Sequence, residues 1–169
     1  MTTMKKRSLA DYEEIDEKDL MILEILQKNS DVTFTDLGKQ LRISASTAYN
    51  RVKKLKETGL IKKIVAVIDY DRLGYRVKAL IFVKTDPKKI DSIVEILKKK
   101  DRIVAIYDVT GEPTLVAVAI ARNHVDLASL LDEIGRIDGV QSTNTMIIMR
   151  TFKESYEVSL TQSSGRGSE

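Results

Sequence analysis

Between Lys39 and Lys63 the chain carries eight cations, Lys39, Arg42, Arg51, Lys53, Lys54, Lys56, Lys62 and Lys63, against one acid, Glu57. The whole chain is only +3, and Asp11 to Glu24, just upstream, holds seven acids and one Lys. A basic block on a nearly balanced chain suits a polyanion, although a solvated helix face can also be Lys-rich. Set among the cations are Ser44, Ser46, Thr47, Tyr49 and Asn50. Ser, Thr, Asn and Arg can read base edges in a DNA groove, whereas Lys mainly meets phosphate. The chemistry these residues suit is recognition of double-stranded DNA, by Arg42, Ser44, Ser46, Thr47, Tyr49, Asn50, Arg51, Lys53, Lys54 and Lys62.

Catalytic chemistry has little support. The single histidine, His124, follows a helix-cap residue and suits a surface position. There is no cysteine, so disulfides and thiolate metal sites are excluded. No Gly-rich phosphate loop or nucleophile triad is present, and no catalytic residue, metal or cofactor is expected. The N-terminus lacks the apolar core of a secretory signal, and no run of about 18 apolar residues occurs. The expected location is the cytoplasm, on the nucleoid, with no membrane partner. Apolar residues make up 43% of 169 residues, enough for one or two small cores. Charged residues at 31%, with four Asn and four Gln, lean towards a thermophile.

Three helices must position the basic block. "IDEKDLMILEILQKN" starts with Asp16 as N-cap and Asp19 three residues on, with Ile15 and Leu20 spaced as a staple. Ile22, Leu23 and Leu26 continue its apolar face. "VTFTDLGKQL" repeats the signal with Thr33 and Asp36, and Phe34, Leu37, Gly38 and Leu41 line one side. After the turn "RIS", Ser44 caps a third helix that Gly59 ends. Ala45, Ala48, Val52 and Leu55 are expected to pack inward, leaving Ser46, Thr47, Tyr49, Asn50, Arg51 and Lys54 outside. This is a helix-turn-helix, whose second helix enters the major groove.

Beyond Gly59 the pattern becomes extended. "LIKKIVAVIDYDRLG" suits a linker strand ending in a turn at Gly74. Strands and helices then alternate: "RVKALIFVKT", a helix opened by Asp86 and Pro87, "RIVAIYDV", the loop "TGEP", "TLVAVAIA", a helix capped by Asn123, and a last strand "STNTMIIMRTF". The order βαββαβ is a ferredoxin-like unit. The fold class is therefore α+β: an N-terminal (winged) helix-turn-helix domain followed by a ferredoxin-like domain. The expected divisions are a flexible arm 1–14, the helix-turn-helix domain 15–61, a linker strand 62–75, the ferredoxin-like domain 76–160 and a disordered tail 161–169. Both phases of the strands are apolar, and two helices cover only one face. The other face is expected to bury against a second copy, giving a homodimer matched to a palindromic site.

The segments "IDEKDLMILEILQKN", "DLGKQLRISASTAYNRVKKLKETGLIKK", "DYDRLGY", "YDVTGEPTLVAV" and "IDGVQSTNTMIIMRTFKES" together resemble the Lrp/AsnC, or feast/famine, family of transcription regulators. The resemblance runs from about Ile15 to Leu160. It implies dimers built through the second domain, often assembled into tetramers or octamers, and a free amino acid bound between dimers as effector. The corresponding positions here are Tyr107, Asp108, Gly111, Glu112, Pro113 and Thr114, with Thr143, Asn144 and Thr145 of the last strand. The family loop often reads Gly-Asp-aromatic-Asp; here Thr114 replaces the final acid, so the family's usual effector does not carry over by itself, and Asp108 or Glu112 could stand in for the missing acid. Two other functions suit the same resemblance less well. One is a nucleoid-organising protein coating DNA with little sequence choice. The other is an Lrp-like siroheme decarboxylase, against which the basic helix argues.

Overall fold

The structure, a computed structural model, describes residues 15–160. The expected arm 1–14 and tail 161–169 lie outside the described residues. The chain divides into two compact units, one of residues up to 66 together with 154 onward, the other of residues 67–153.

The first unit begins with α1 (Glu17–Lys28), α2 (Phe34–Leu41) and α3 (Ala45–Glu57). Each start follows from its cap. The Asp16 carboxylate accepts from the Asp19 amide at 2.9 Å while Asp19 accepts from the Asp16 amide, a reciprocal capping box. Thr33 and Ser44 cap α2 and α3 in the same way, accepting from the amides of Asp36 and Thr47. Gly59, at φ 73°, lets the chain leave α3 in the left-handed conformation. The core is Ile22, Leu37, Leu41, Ala48, Val52 and Leu55. Two expected core positions differ. Ala45 is exposed on the first turn of α3. Phe34 is 39% exposed and lies edge-on to Tyr49, ring centroids 5.3 Å apart, because the first turn of α2 projects beyond the three-helix core.

Residues 154–160, expected in the second domain, belong to the first unit. The Gln27 side chain makes two hydrogen bonds with the Val158 backbone, at 2.9 and 3.1 Å, and Glu24 accepts from the Leu160 amide at 2.7 Å. The expected linker strand also differs. Residues 62–69 belong to no helix or strand, and 70–74 form a turn. No strand occurs among the described residues of the first unit.

The second unit is ferredoxin-like: β1 (Val77–Thr85), a short 3-10 turn (Pro87–Lys89), α4 (Ile90–Leu97), β2 (Ile103–Asp108), β3 (Leu115–Ala121), α5 (His124–Gly135) and β4 (Val140–Ile147). All pairings are antiparallel, in the order β2-β3-β1-β4. Val77, Ala79, Ile81 and Val83 of β1 and Leu115, Ala117, Ala119 and Ala121 of β3 pack on Ile93, Leu97, Leu127, Leu130 and Ile134 of the helices. Small residues on β3 let the helices sit close to the sheet. The opposite face carries Leu80, Phe82, Val116, Val118 and Ile120, all partly exposed, with Tyr107 53% and Met146 54% exposed. Within one chain nothing among the described residues covers this apolar face fully.

Candidate nucleic-acid interface and effector site

The helix-turn-helix depends on a close approach at Gly38. A Cβ there would stand 2.7 Å from the Ile43 carbonyl oxygen and 3.3 Å from the Ala45 nitrogen. Only a residue without a side chain lets the turn fold back, and the Ile43 amide donates to the Gly38 carbonyl at 2.9 Å. Arg42 takes the left-handed conformation, φ 54°, to make that turn, and its side chain is exposed.

The turn delivers α3 with its first turn uncovered. Ser44, Ser46, Thr47, Tyr49 and Asn50 are all exposed. The Ser44 hydroxyl lies 2.9 Å from that of Ser46 and 2.7 Å from that of Thr47, forming one hydroxyl cluster. No acid occupies the first turn of α3, so the positive end of the helix dipole is not neutralised. Lys53 and Lys54 are exposed further along, Lys53 facing Glu57 at 3.8 Å, and Lys62 is exposed beyond the helix. Tyr49 is held by Phe34, which the sequence reading placed in the core; its position on the first turn of α2 was the available hint.

Arg51 differs from the expected outward placement. Its guanidinium turns towards α1 and meets Asp16 at 2.7 Å and Asp19 at 2.8 Å. The Asp19 side chain is only 7% exposed. The hydrogen bond to Asp19 raises the Arg51 pKa, and the Asp19 amide, with Arg51 behind it, lowers that of Asp16. This side chain joins the third helix to the first. The acids sit 32 or more residues away in sequence, and no local pattern announces such a pairing.

At one end of the sheet, the hairpin between β2 and β3 closes with the Val109 amide donating to the Thr114 carbonyl at 3.0 Å. Gly111 sits at φ 94° with open space where a Cβ would be, and the Glu112–Pro113 bond is cis. Tyr107, Asp108, Gly111 and Glu112 are exposed, and Pro113 and Thr114 are half-buried. Thr143, Asn144 and Thr145 lie midway along β4, opposite Val83, Phe82 and Ile81 of β1. However, β2 and β4 are the two edges of the sheet, three strand spacings or roughly 14 Å apart. Asn144 also faces away from Thr143 and Thr145, because it pairs with Phe82 and they pair with Val83 and Ile81. One chain therefore does not gather the nine candidate residues around a ligand of amino-acid size. What bridges the gap is Lys84, which the sequence reading missed: its ammonium meets Glu112 at 3.1 Å, and its β4 neighbour is Ser142.

Among the described residues there is no group of His, Cys, Asp and Glu arranged to hold a metal, and no helix long and apolar enough to cross a membrane. His124 is exposed at the first turn of α5.

A helix-turn-helix with an uncovered first turn on its second helix, followed by a ferredoxin-like unit, is the arrangement of a DNA-binding transcription regulator. Residues 15–62 match the winged helix-turn-helix DNA-binding family and residues 78–158 match the Lrp/AsnC ligand binding domain. The HTH-type transcriptional regulator FL11 of Pyrococcus horikoshii is 38% identical over 144 residues, covering 85% of this chain and 95% of its own length. The E. coli AsnC structure superposes with TM-score 0.77 at 30% identity, covering 83% of this chain and 95% of its own. A Neisseria meningitidis transcriptional regulator solved in complex with L-Met shares the fold, with TM-score 0.82 at 21% identity over 87% of this chain and 97% of that one. The chain belongs to the Lrp/AsnC family of transcription regulators.

Proposed function

We propose that the chain is a cytoplasmic, non-enzymatic regulator that reads DNA sequence with the first turns of α3, acts as a homodimer or larger assembly, and answers to a free amino acid. The observation that carries the DNA reading is the exposed hydroxyl and amide set of Ser46, Thr47 and Asn50 on a helix whose buried stripe, Ala48, Val52 and Leu55, is locked to the other two. Ser46, Thr47, Asn50 and Tyr49 read bases. Arg42, Ser44, Lys53, Lys54 and Lys62 grip phosphates. Arg51 serves by orienting α3 rather than by touching a base. The partly exposed apolar sheet face supports pairing with a second copy.

For the effector, the Lys84–Glu112 pair supports an amino acid as the ligand class. A zwitterion inserted between them meets Glu112 with its ammonium and Lys84 with its carboxylate, and Thr143 and Thr145 of a neighbouring copy complete the enclosure. The L-Met bound to the Neisseria relative agrees with that class.

The test is binding to randomised DNA sites by the full chain. Lys53→Ala and Lys54→Ala weaken all sequences alike, whereas Ser46→Ala, Thr47→Ala or Asn50→Ala relax preference at particular bases by roughly 1–3 kcal/mol. Variants that all keep the parent's preferences remove α3 as the reader.

A further inference from the structure

Phe34 and Tyr49 are the only aromatic residues between Ile15 and Ala66. An aromatic ring is among the largest apolar groups a small core can bury. Yet the core of the first unit is built from Ile22, Leu37, Leu41, Ala48, Val52 and Leu55, and both rings stand outside it. They lie together instead, Phe34 on the first turn of α2 and Tyr49 on α3, with centroids 5.3 Å apart and ring planes at 87°. Tyr49 is 49% exposed. Ser46 and Lys53 stand one turn before and one turn after it on α3, and both are exposed, as is Asn50. The aromatic pair is thus an apolar island among hydroxyls, an amide and cations.

We infer that the Tyr49 ring reads the C5 methyl group of a thymine in the major groove, and that Phe34 is the positioning residue that holds the ring for it. The inference rests on α3 being the helix that reads DNA. In the major groove each base pair presents hydrogen-bond donors and acceptors, and the thymine methyl is the one apolar group among them. Ser46, Thr47 and Asn50 suit the polar positions, and an aromatic ring suits the methyl. In a docked helix-turn-helix the second helix lies in the groove while the first crosses the backbone. Tyr49 then meets base edges, and Phe34 supports it from the side of the groove wall.

The contact between the rings is what turns an exposed side chain into a reader. A free tyrosine on a helix surface samples several rotamers, and ordering it on binding costs entropy. Phe34 restricts the Tyr49 ring before DNA arrives, so less freedom is lost when the complex forms. The discrimination gained complements that of the neighbouring residues. The hydroxyls of Ser46 and Thr47 can serve as donor or acceptor to any base, so alone they choose weakly. A methyl contact beside them separates T·A from the other pairs. Burying one methyl group against the ring corresponds to roughly a fourfold gain in affinity.

The test selects sites from randomised DNA with the full chain and then replaces each thymine of the selected site in turn by deoxyuridine, which lacks only the methyl. Replacement of one thymine in each half-site is expected to weaken binding roughly fourfold per methyl removed. 5-Bromodeoxyuridine, which returns a group of methyl size, is expected to restore the affinity. Tyr49→Phe keeps this sensitivity and Tyr49→Ala loses it. Phe34→Leu, which keeps apolar bulk but has no ring, reduces it, while hydrogen exchange in α1 and α3 shows that the helices remain folded. Indifference to deoxyuridine at every thymine, sensitivity kept in Tyr49→Ala, sensitivity lost in Tyr49→Phe, or sensitivity unchanged in Phe34→Leu overturns the inference. After any of these results α3 still stands as the reader if Ser46→Ala or Asn50→Ala relaxes preference at a base. If neither does, the reading of α3 itself has failed.

Discussion

Replacing Arg51 with Met removes the charge that holds α3 to α1 while keeping an apolar stem of similar length. The cost can be worked from the geometry. The contact to Asp16 involves a half-exposed carboxylate and contributes about 0.5 kcal/mol. The contact to Asp19 is an ionic hydrogen bond at 2.8 Å to a side chain 7% exposed, a class of bond worth about 1.5–3 kcal/mol. Because the Arg51 side chain is itself 29% exposed, water screens part of this and the lower end applies. The total is about 2 kcal/mol, or roughly a thirtyfold rise in the opening equilibrium of the first unit. That is a large share of a typical domain stability of about 5–15 kcal/mol. Native-state hydrogen exchange on the full chain separates the two units. Amides of α1, α2 and α3 lose protection by this amount, and those of β1 and β3 keep theirs. Introducing Asp19→Asn first retains the oxygen that caps the Asp16 amide but removes the charge, so Arg51→Met then costs distinctly less. DNA preference across randomised sites is unchanged once the folded fraction is matched. Unaltered protection in α1 to α3 together with lost discrimination at one base would refute this reasoning and return Arg51 to the reading surface.

Gly38→Ala puts a Cβ against the Ile43 carbonyl, so the first unit should lose about 1–3 kcal/mol and DNA binding should weaken for all sites together. The Thr85 hydroxyl is buried with no hydrogen-bond partner, so Thr85→Val should raise the stability of the second unit by about 1 kcal/mol in denaturant titration. Asp126 has its pKa lowered, first by the Arg122 amide and then by Arg102. Because the folded value lies below the unfolded one, its contribution is complete above about pH 5 and disappears as pH falls through the folded value. Asp126→Asn should therefore flatten the acid limb of stability of the second unit. If one dimer meets roughly six phosphates, log affinity against log salt should have a slope of about −5, and a slope near zero would remove the basic segment as the contact face.

The parts of this molecule that were legible from sequence are those governed by short-range chemistry. Asp16, Thr33, Ser44 and Asn123 cap their helices because a short polar side chain followed by helix-forming residues has few other uses. The strands of the second unit were legible because their β-branched runs are bounded by Pro87, Gly111 and Gly139. What escaped depends on distant pairs. Arg51 looked like a reader because its partners are on another helix. Phe34 looked like core because helical spacing tells which side a residue faces, not how far the neighbouring helix extends. Lys84 was invisible because its importance comes from a hairpin bent over the strand end. Residues 154–160 were assigned by adjacency to the last strand, whereas Gln27 and Glu24 draw them to the other unit.

That return has a consequence for how the protein is made. The segment that completes the DNA-binding unit leaves the ribosome more than a hundred residues after α1. The three helices can assemble early, but the side chains of Glu24 and Gln27 wait for more than a hundred residues before their backbone partners exist. A premature stop after β4 leaves every DNA-reading residue in place and still yields an unfinished reading head. A chain that stops before Val158 therefore lacks the backbone partners that Glu24 and Gln27 meet in the first unit.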